Sequence, residues 1–124
     1  MRARVEYAIC IDVNNREINI VPHDNTLKTI YNYLGCRTFD VVRIDDVNSI
    51  YIDDEGLFVE DQRYFTYEGD TDTVTLAGNG LILGVDDEGE TIEPTLTLEH
   101  VKSKVSFLPL SFKIEPSMSF TVWN

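Results

Sequence analysis

The segment Leu27-Lys28-Thr29-Ile30-Tyr31-Asn32-Tyr33-Leu34-Gly35 sets the fold class, because it predicts a helix in a chain that otherwise has strand patterns. Its apolar side chains recur at i, i+3, i+4 and i+7: Leu27, Ile30, Tyr31 and Leu34. Asp24 or Asn25 is the expected N-cap, and Gly35 is expected to end the helix in the left-handed conformation. The sequence therefore predicts a helix over about residues 25–35, with one face packed on a sheet.

Strands are predicted on both sides of this helix. Residues 3–13 and 16–21 alternate apolar and polar side chains around the turn Asn14-Asn15. Further strands are predicted over residues 39–44, 49–52, 57–59, 64–67, 73–76 and 81–85. Gly78-Asn79-Gly80 favours a hairpin between the last two. A short second helix is predicted over about residues 96–105, with Thr95 or Thr97 as its cap, and the tail over about residues 110–124 is predicted to be strand-rich.

These patterns predict an α+β fold: a mainly antiparallel, curved sheet with one principal helix and a short second helix. The 124 residues suit one core, so we expect a single domain over residues 1–124. No apolar run approaches the roughly 18 residues of a membrane span, and no signal peptide is evident, so we expect a cytoplasmic protein without a membrane partner. Cys10 and Cys36 are expected to be reduced thiols, buried or nearly so.

Negative charge is concentrated in the middle of the chain. The net charge is −12. Between Asp40 and Glu93 there are 16 acidic residues and two basic ones, which gives −14, whereas the remainder has 6 acidic and 8 basic residues, or +2. Such a charge repels phosphate backbones and attracts basic surfaces, so we expect a basic partner and no direct binding of nucleic acid.

Acidic turns supply the predicted partner-binding residues. These are Asp45, Asp46, Asp53, Asp54, Glu55, Asp86, Asp87 and Glu88. The tetrapeptide Asp-Asp-Glu-Gly occurs twice, but neither copy has calcium-loop spacing, because Gln62 or Thr95 would stand at the position of the bidentate glutamate. We therefore expect no metal site. Two interpretations stay open: the acids converge on one surface and mimic duplex DNA, or they only solvate the fold.

Catalytic motifs are absent from the sequence. His23 and His100 have no partners at a recognisable spacing, and no nucleophile elbow, zinc-protease motif or phosphate-binding glycine loop is present. We therefore expect no catalytic residues and no cofactor. An alternative function is the binding or sequestration of a small, nucleotide-type ligand. The pocket for that ligand would be lined by Arg37, Arg43, Arg63, Tyr33 and Tyr64.

A series of short motifs runs in order through about residues 16–108. They are Arg16-Glu17-Ile18, the helix ending at Gly35, Phe39-Asp40-Val41-Val42, Asp54-Glu55-Gly56-Leu57, Gln62-Arg63, Leu76-Ala77-Gly78, Leu81-Ile82-Leu83-Gly84 and Thr97-Leu98-Glu99-His100-Val101. This series resembles a family of small phage, plasmid and bacterial proteins known as domain of unknown function 3846. Cys36 stands where that family often has a second glycine, and Gln62 where it often has asparagine.

The resemblance implies an α+β domain and a phage or mobile-element source, and it implies no activity. Together with the charge distribution, it favours a non-enzymatic accessory protein that binds a host macromolecule through a negative face. The natural partner would be a host protein with a basic surface, such as a DNA- or RNA-handling enzyme in the host cytoplasm.

Overall fold

A computed structural model describes residues 6–69 and 72–112 of the chain. In chain order the elements are β1 (Tyr7–Asp12), β2 (Glu17–Pro22), α1 (Leu27–Leu34), β3 (Phe39–Arg43), β4 (Asn48–Asp53), a 3-10 turn (Gly56–Phe58), β5 (Tyr64–Glu68), β6 (Thr73–Ala77), β7 (Gly80–Val85), β8 (Thr91–Ile92), α2 (Leu98–Lys104) and β9 (Val105–Phe107). The predicted α+β fold is confirmed.

The strands form two antiparallel sheets. The first sheet has the order β2-β1-β7-β4-β3, with β8 paired to the end of β7, and the second has the order β6-β5-β9. One curved sheet was the prediction, whereas the strands divide between two sheets and the curvature is weak.

The first sheet lies in the middle of the molecule, because both of its faces are covered. Successive side chains of a strand point to opposite faces. Leu81 and Leu83 of β7 therefore pack with α1, while Ile82 between them packs with Phe65 and Leu76 of the second sheet. Helix α2 adds Val101 to the same core as the second sheet. The helix α1, the first sheet and the second sheet thus form three layers.

The N-cap of helix α1 differs from the predicted one, whereas its C-terminal glycine is as predicted. Thr26 is the N-cap, since its Oγ1 accepts from the backbone N–H of Thr29 at 3.3 Å. Asp24 lies two residues before this N-cap, and its Oδ1 accepts from the hydroxyls of Thr26 and Thr29, both at 2.7 Å. The predicted cap at Asp24 or Asn25 is therefore wrong by one or two residues. At the other end Gly35 is left-handed, with φ +66°, as predicted.

Two predicted strand features are absent from the described structure. Residues 57–59 do not form a strand, because the chain turns at Gly56, where a Cβ atom would lie 3.0 Å from the carbonyl oxygen of Ala77. The residues Gly78-Asn79-Gly80 do not close a hairpin, since β6 belongs to the second sheet and β7 to the first. The Asn79 side chain accepts from the N–H of Val13 and donates to the carbonyl of Tyr33, so it fixes a crossover between layers.

The predicted second helix is confirmed as α2, with Thr97 as its N-cap. It ends at Lys104, because the chain passes directly into β9 and pairs with β5. Of the predicted strand-rich tail, residues 110–112 contain no strand, and residues 113–124 lie outside the described residues. Neither α1 nor α2, the helices of the described ranges, is long and apolar enough to cross a membrane.

A buried amide joins the turn between β3 and β4 to the segment that leads into α2. Asn48 is 1% exposed. Its Nδ2 donates to the Asp45 carboxylate and, at 2.8 Å, to Oγ1 of Thr95. Its Oδ1 accepts from the N–H of Thr95 at 3.0 Å. Because both polar ends of the amide are satisfied, the turn and the segment are held together at low energetic cost.

Replacement Asn48→Ala is expected to lower the free energy of unfolding by roughly 1–3 kcal/mol, because it removes the buried amide and leaves the polar groups of Asp45 and Thr95 without that partner. Urea denaturation measures the change. The matched control is Asn32→Ala on the exposed side of α1, which should alter stability by no more than about 0.5 kcal/mol. Equal effects of the two replacements would contradict a structural role for the Asn48 network.

Candidate functional site

Strand register brings two of the predicted acidic turns together. In the pairing of β4 with β7, Asn48 lies opposite Gly84, and the N–H of Val85 donates to the carbonyl of Val47 at 2.9 Å. The turn after β7 therefore lies beside the turn between β3 and β4. The residues gathered there are called the acidic end: Asp45, Asp46, Asp86, Asp87 and Glu88.

The other three predicted acids lie at the opposite end of the first sheet. Asp53 is the last residue of β4 and is followed by Asp54 and Glu55, and the strand is six residues long, or about 20 Å. We call them the opposite acidic group. The two Asp-Asp-Glu-Gly copies separate because each follows a strand, and those strands, β4 and β7, run antiparallel. The eight residues thus form two groups and do not gather at one end of the sheet.

Two cavities flank the acidic end. A cavity of about 500 Å³ lies between the first and second sheets, and its lining residues are Arg43, Ile44, Asp45, Asp46, Tyr67, Gly69, Asp72 and Val74. A cavity of about 280 Å³ lies beside it and is lined by Arg43, Asp46, Val47, Ser49, Val85 and Asp86. Asp72 was not among the predicted site residues. No local sequence signal indicates it, because only the packing of the two sheets brings it near Asp46.

The carboxylates of the acidic end have two kinds of environment. Partial burial raises the pKa of Asp45, but hydrogen bonds from Asn48 and from the N–H of Val47 outweigh it, and the pKa is lowered overall. Asp86 Oδ1 accepts from two backbone N–H groups of its own turn, each at 2.9 Å. These two side chains hold the turns in place.

The remaining carboxylates of this end, Asp46, Asp87 and Glu88, are exposed and can face a partner.

The basic side chain of Arg43 borders the acidic end. Arg43 lines both cavities, and its guanidinium donates to the backbone carbonyl of Asp46 at 3.4 Å. The exposed acids nevertheless outnumber the bases on the two turns themselves, so the surface favours a cationic ligand.

The arginines of the alternative ligand pocket lie apart. Arg43 is at the acidic end. Arg37 forms an exposed ion pair with Glu55, 3.8 Å between Nη2 and Oε1, at the opposite acidic group. The guanidinium of Arg63 donates to the carbonyl of Asn14 in the turn after β1.

The two tyrosines of that pocket are also engaged elsewhere. The Tyr33 hydroxyl donates to the carbonyl of Pro22 at 2.6 Å, and burial raises its pKa. The ring of Tyr64 packs edge-on against Phe112 with 5.2 Å between centroids. Of the five residues proposed to bind a nucleotide, Arg43 lines both cavities and the other four line neither.

Within residues 6–69 and 72–112, no group of three or more His, Cys, Asp or Glu side chains is arranged to hold a metal ion. Cys10 and Cys36 are free thiols. Burial is the main cause that raises the pKa of each to about 11, so both thiols stay protonated near neutral pH.

His23 follows β2, and its backbone N–H donates to the carbonyl of Glu6. Its side chain is 4% exposed, and neither ring nitrogen has a hydrogen-bond partner among the described residues. Burial lowers the pKa of His23, and the nearby Asp24 carboxylate offsets this only in part. The folded state therefore holds a neutral imidazole that resists protonation.

Stability is expected to fall as the pH drops below about 6.5, because the unfolded chain then binds a proton at His23 that the folded chain does not. Above that pH the contribution of His23 is constant. Replacement His23→Leu should flatten the pH dependence between about pH 6.5 and 5. Thermal denaturation across this range measures the pH dependence of stability, with His100→Leu at an exposed site as the control. A wild-type slope in His23→Leu would contradict the interpretation.

Comparison with known proteins identifies a family for this chain. The family described as Domain of unknown function (DUF3846) matches residues 5–105, which span β1 to the start of β9 and include both acidic groups. No curated protein and no solved structure matches the chain.

Proposed function

We propose that this chain, which belongs to the family described as Domain of unknown function (DUF3846), is a non-enzymatic protein that binds a basic macromolecular surface through its acidic end. The observation that carries the proposal is the meeting of two turns, distant in sequence, at one end of the sheet. Asp46, Asp87 and Glu88 are exposed there, and the rigid turns that present them are fixed by Asp45 and Asp86.

Rigid presentation supports binding because little conformational entropy is lost when a partner docks. Charge complementarity of this kind mainly accelerates association and selects partners of opposite sign. The full proposal is an accessory protein of a phage or mobile element in the cytoplasm of its host. Its partner is a host protein with a basic groove for DNA or RNA, whose nucleic acid the acidic residues imitate.

Replacement of the exposed acids in a triple variant, D46N/D87N/E88Q, is expected to weaken binding of a peptide of about ten lysines and arginines by roughly tenfold and to reduce its dependence on salt. The side chains keep their size and lose three negative charges. Fluorescence anisotropy between about 50 and 300 mM salt measures both effects.

The matched control removes three charges elsewhere, in E17Q/E60Q/E99Q. These residues are exposed and lie on β2, after the 3-10 turn and on α2. The control should bind the peptide nearly as the wild type does. If both triple variants lose affinity equally, binding follows net charge alone and the acidic end is not a site.

Nucleotides at about millimolar concentration should not raise the melting temperature, because the arginines and tyrosines that would form their pocket lie at different places in the fold. Differential scanning fluorimetry with mono-, di- and triphosphates measures the shift. A concentration-dependent rise of several degrees, lost in Arg43→Gln, would instead favour a small-ligand function at the two cavities.

A further inference from the structure

Strand β3 forms one edge of the first sheet and pairs with β4 alone among the described strands. The N–H of Ile44 donates to the carbonyl of Asn48, and the carbonyl of Thr38 accepts from the N–H of Asp54. Because bonded and unbonded pairs alternate in an antiparallel ladder, the even-numbered residues of β3 bond to β4. The N–H and C=O groups of Phe39, Val41 and Arg43 therefore point outward from the sheet.

The outward N–H of Val41 is hydrogen-bonded to a side chain of its own strand. It donates to Oδ1 of Asp40 at 2.9 Å, so a carboxylate oxygen occupies the place of a strand carbonyl. The Val41 side chain is 43% exposed. An exposed edge of this kind is a template for addition of another strand.

The charges along this edge select the strand that fits. The acidic end follows the last residue of β3, and the opposite acidic group pairs with its first residue through Phe39 and Asp53. Asp40 lies between them. Strand β3 has five residues, so it joins the two acidic groups over about 17 Å. Negative charge therefore lies at both ends of this edge and, at Asp40, near its first end.

We propose that the outer edge of β3, which no other described strand covers, takes up an extended, lysine- or arginine-rich segment of the partner as an additional strand. The added strand would replace the Asp40 carboxylate at the Val41 N–H, place a basic side chain beside Asp40 and an apolar one beside Val41, and reach the acidic groups with its ends. This inference rests on the proposed function and names the form of its partner.

A second copy of the chain fits the same edge poorly. Pairing of β3 with β3 of another copy would bring two sets of the same acidic groups together. Like charges on adjacent strands are destabilising, and each copy carries a net charge of −12. A basic segment meets the opposite condition, since the acidic residues along the edge outnumber the bases there, Arg37 and Arg43.

Replacement Val41→Pro tests strand addition directly. Proline is tolerated on edge strands where the missing N–H faces outward, and it removes the donor that an added strand needs. With a peptide of about seven residues that alternates lysine and valine, affinity should fall about tenfold, as expected from one or two lost hydrogen bonds. Val41→Thr keeps the N–H and should bind like the wild type.

A second measurement does not depend on the folding of a variant. The same peptide, with N-methyl groups on alternate residues of one edge, keeps its charges and cannot pair through that edge. Wild-type protein should bind it about tenfold more weakly than the unmodified peptide. Isotope-edited NMR should then place the chemical-shift changes of the unmodified complex on β3 residues.

Each outcome decides between the two proposals. If the methylated peptide and Val41→Pro bind as tightly as their controls, strand addition is overturned, while loss of binding in D46N/D87N/E88Q still supports the acidic end. If that triple variant also has no effect, the proposed function fails as well. If sedimentation shows a dimer of the free protein that Val41→Pro abolishes, the occupant is a second copy, and the basic segment is wrong.

Discussion

The buried side chain of Asn48 is the contact on which the acidic end depends. Its amide binds the Asp45 carboxylate on one side and Thr95 on the other, so that the turn between β3 and β4 is fixed to the segment before α2. A buried amide tolerates only the geometry in which all of its polar atoms are paired. The network therefore holds a turn of negative charge in one conformation, where solvation and repulsion would otherwise favour many.

Strand direction then distributes the charge over the molecule. Because β4 and β7 are antiparallel, the acidic turns that follow them point to opposite ends of the sheet, although the two turns have the same sequence. The turn between β3 and β4 joins the one after β7 by the same register. Edge strand β3 connects the two ends, and the outward N–H of Val41 is hydrogen-bonded to the Asp40 carboxylate. Charge and an open sheet edge thus coincide on one side of the protein.

Local interactions account for the parts of the fold that were predictable. The apolar stripe of α1 and the left-handed Gly35 depend on residues within one helix; Gly35 was found as predicted, and of the stripe Ile30 and Leu34 are buried whereas Leu27 is exposed. The glycines around Asn79 were misread because a left-handed glycine serves a hairpin and a crossover equally well. Only the contacts of the Asn79 side chain with Val13 and Tyr33, which are remote in sequence, distinguish the two.

The sequence by itself determined the α+β class, the principal helix, most of the strands and the concentration of negative charge in the middle of the chain, because periodicity and composition are local properties. Tertiary structure decided which acids meet, that Asp72 joins them from the second sheet, and that the five residues of the nucleotide hypothesis lie apart. The physical reason is that pairing register and sheet packing depend on contacts between distant segments, and no local pattern encodes those contacts.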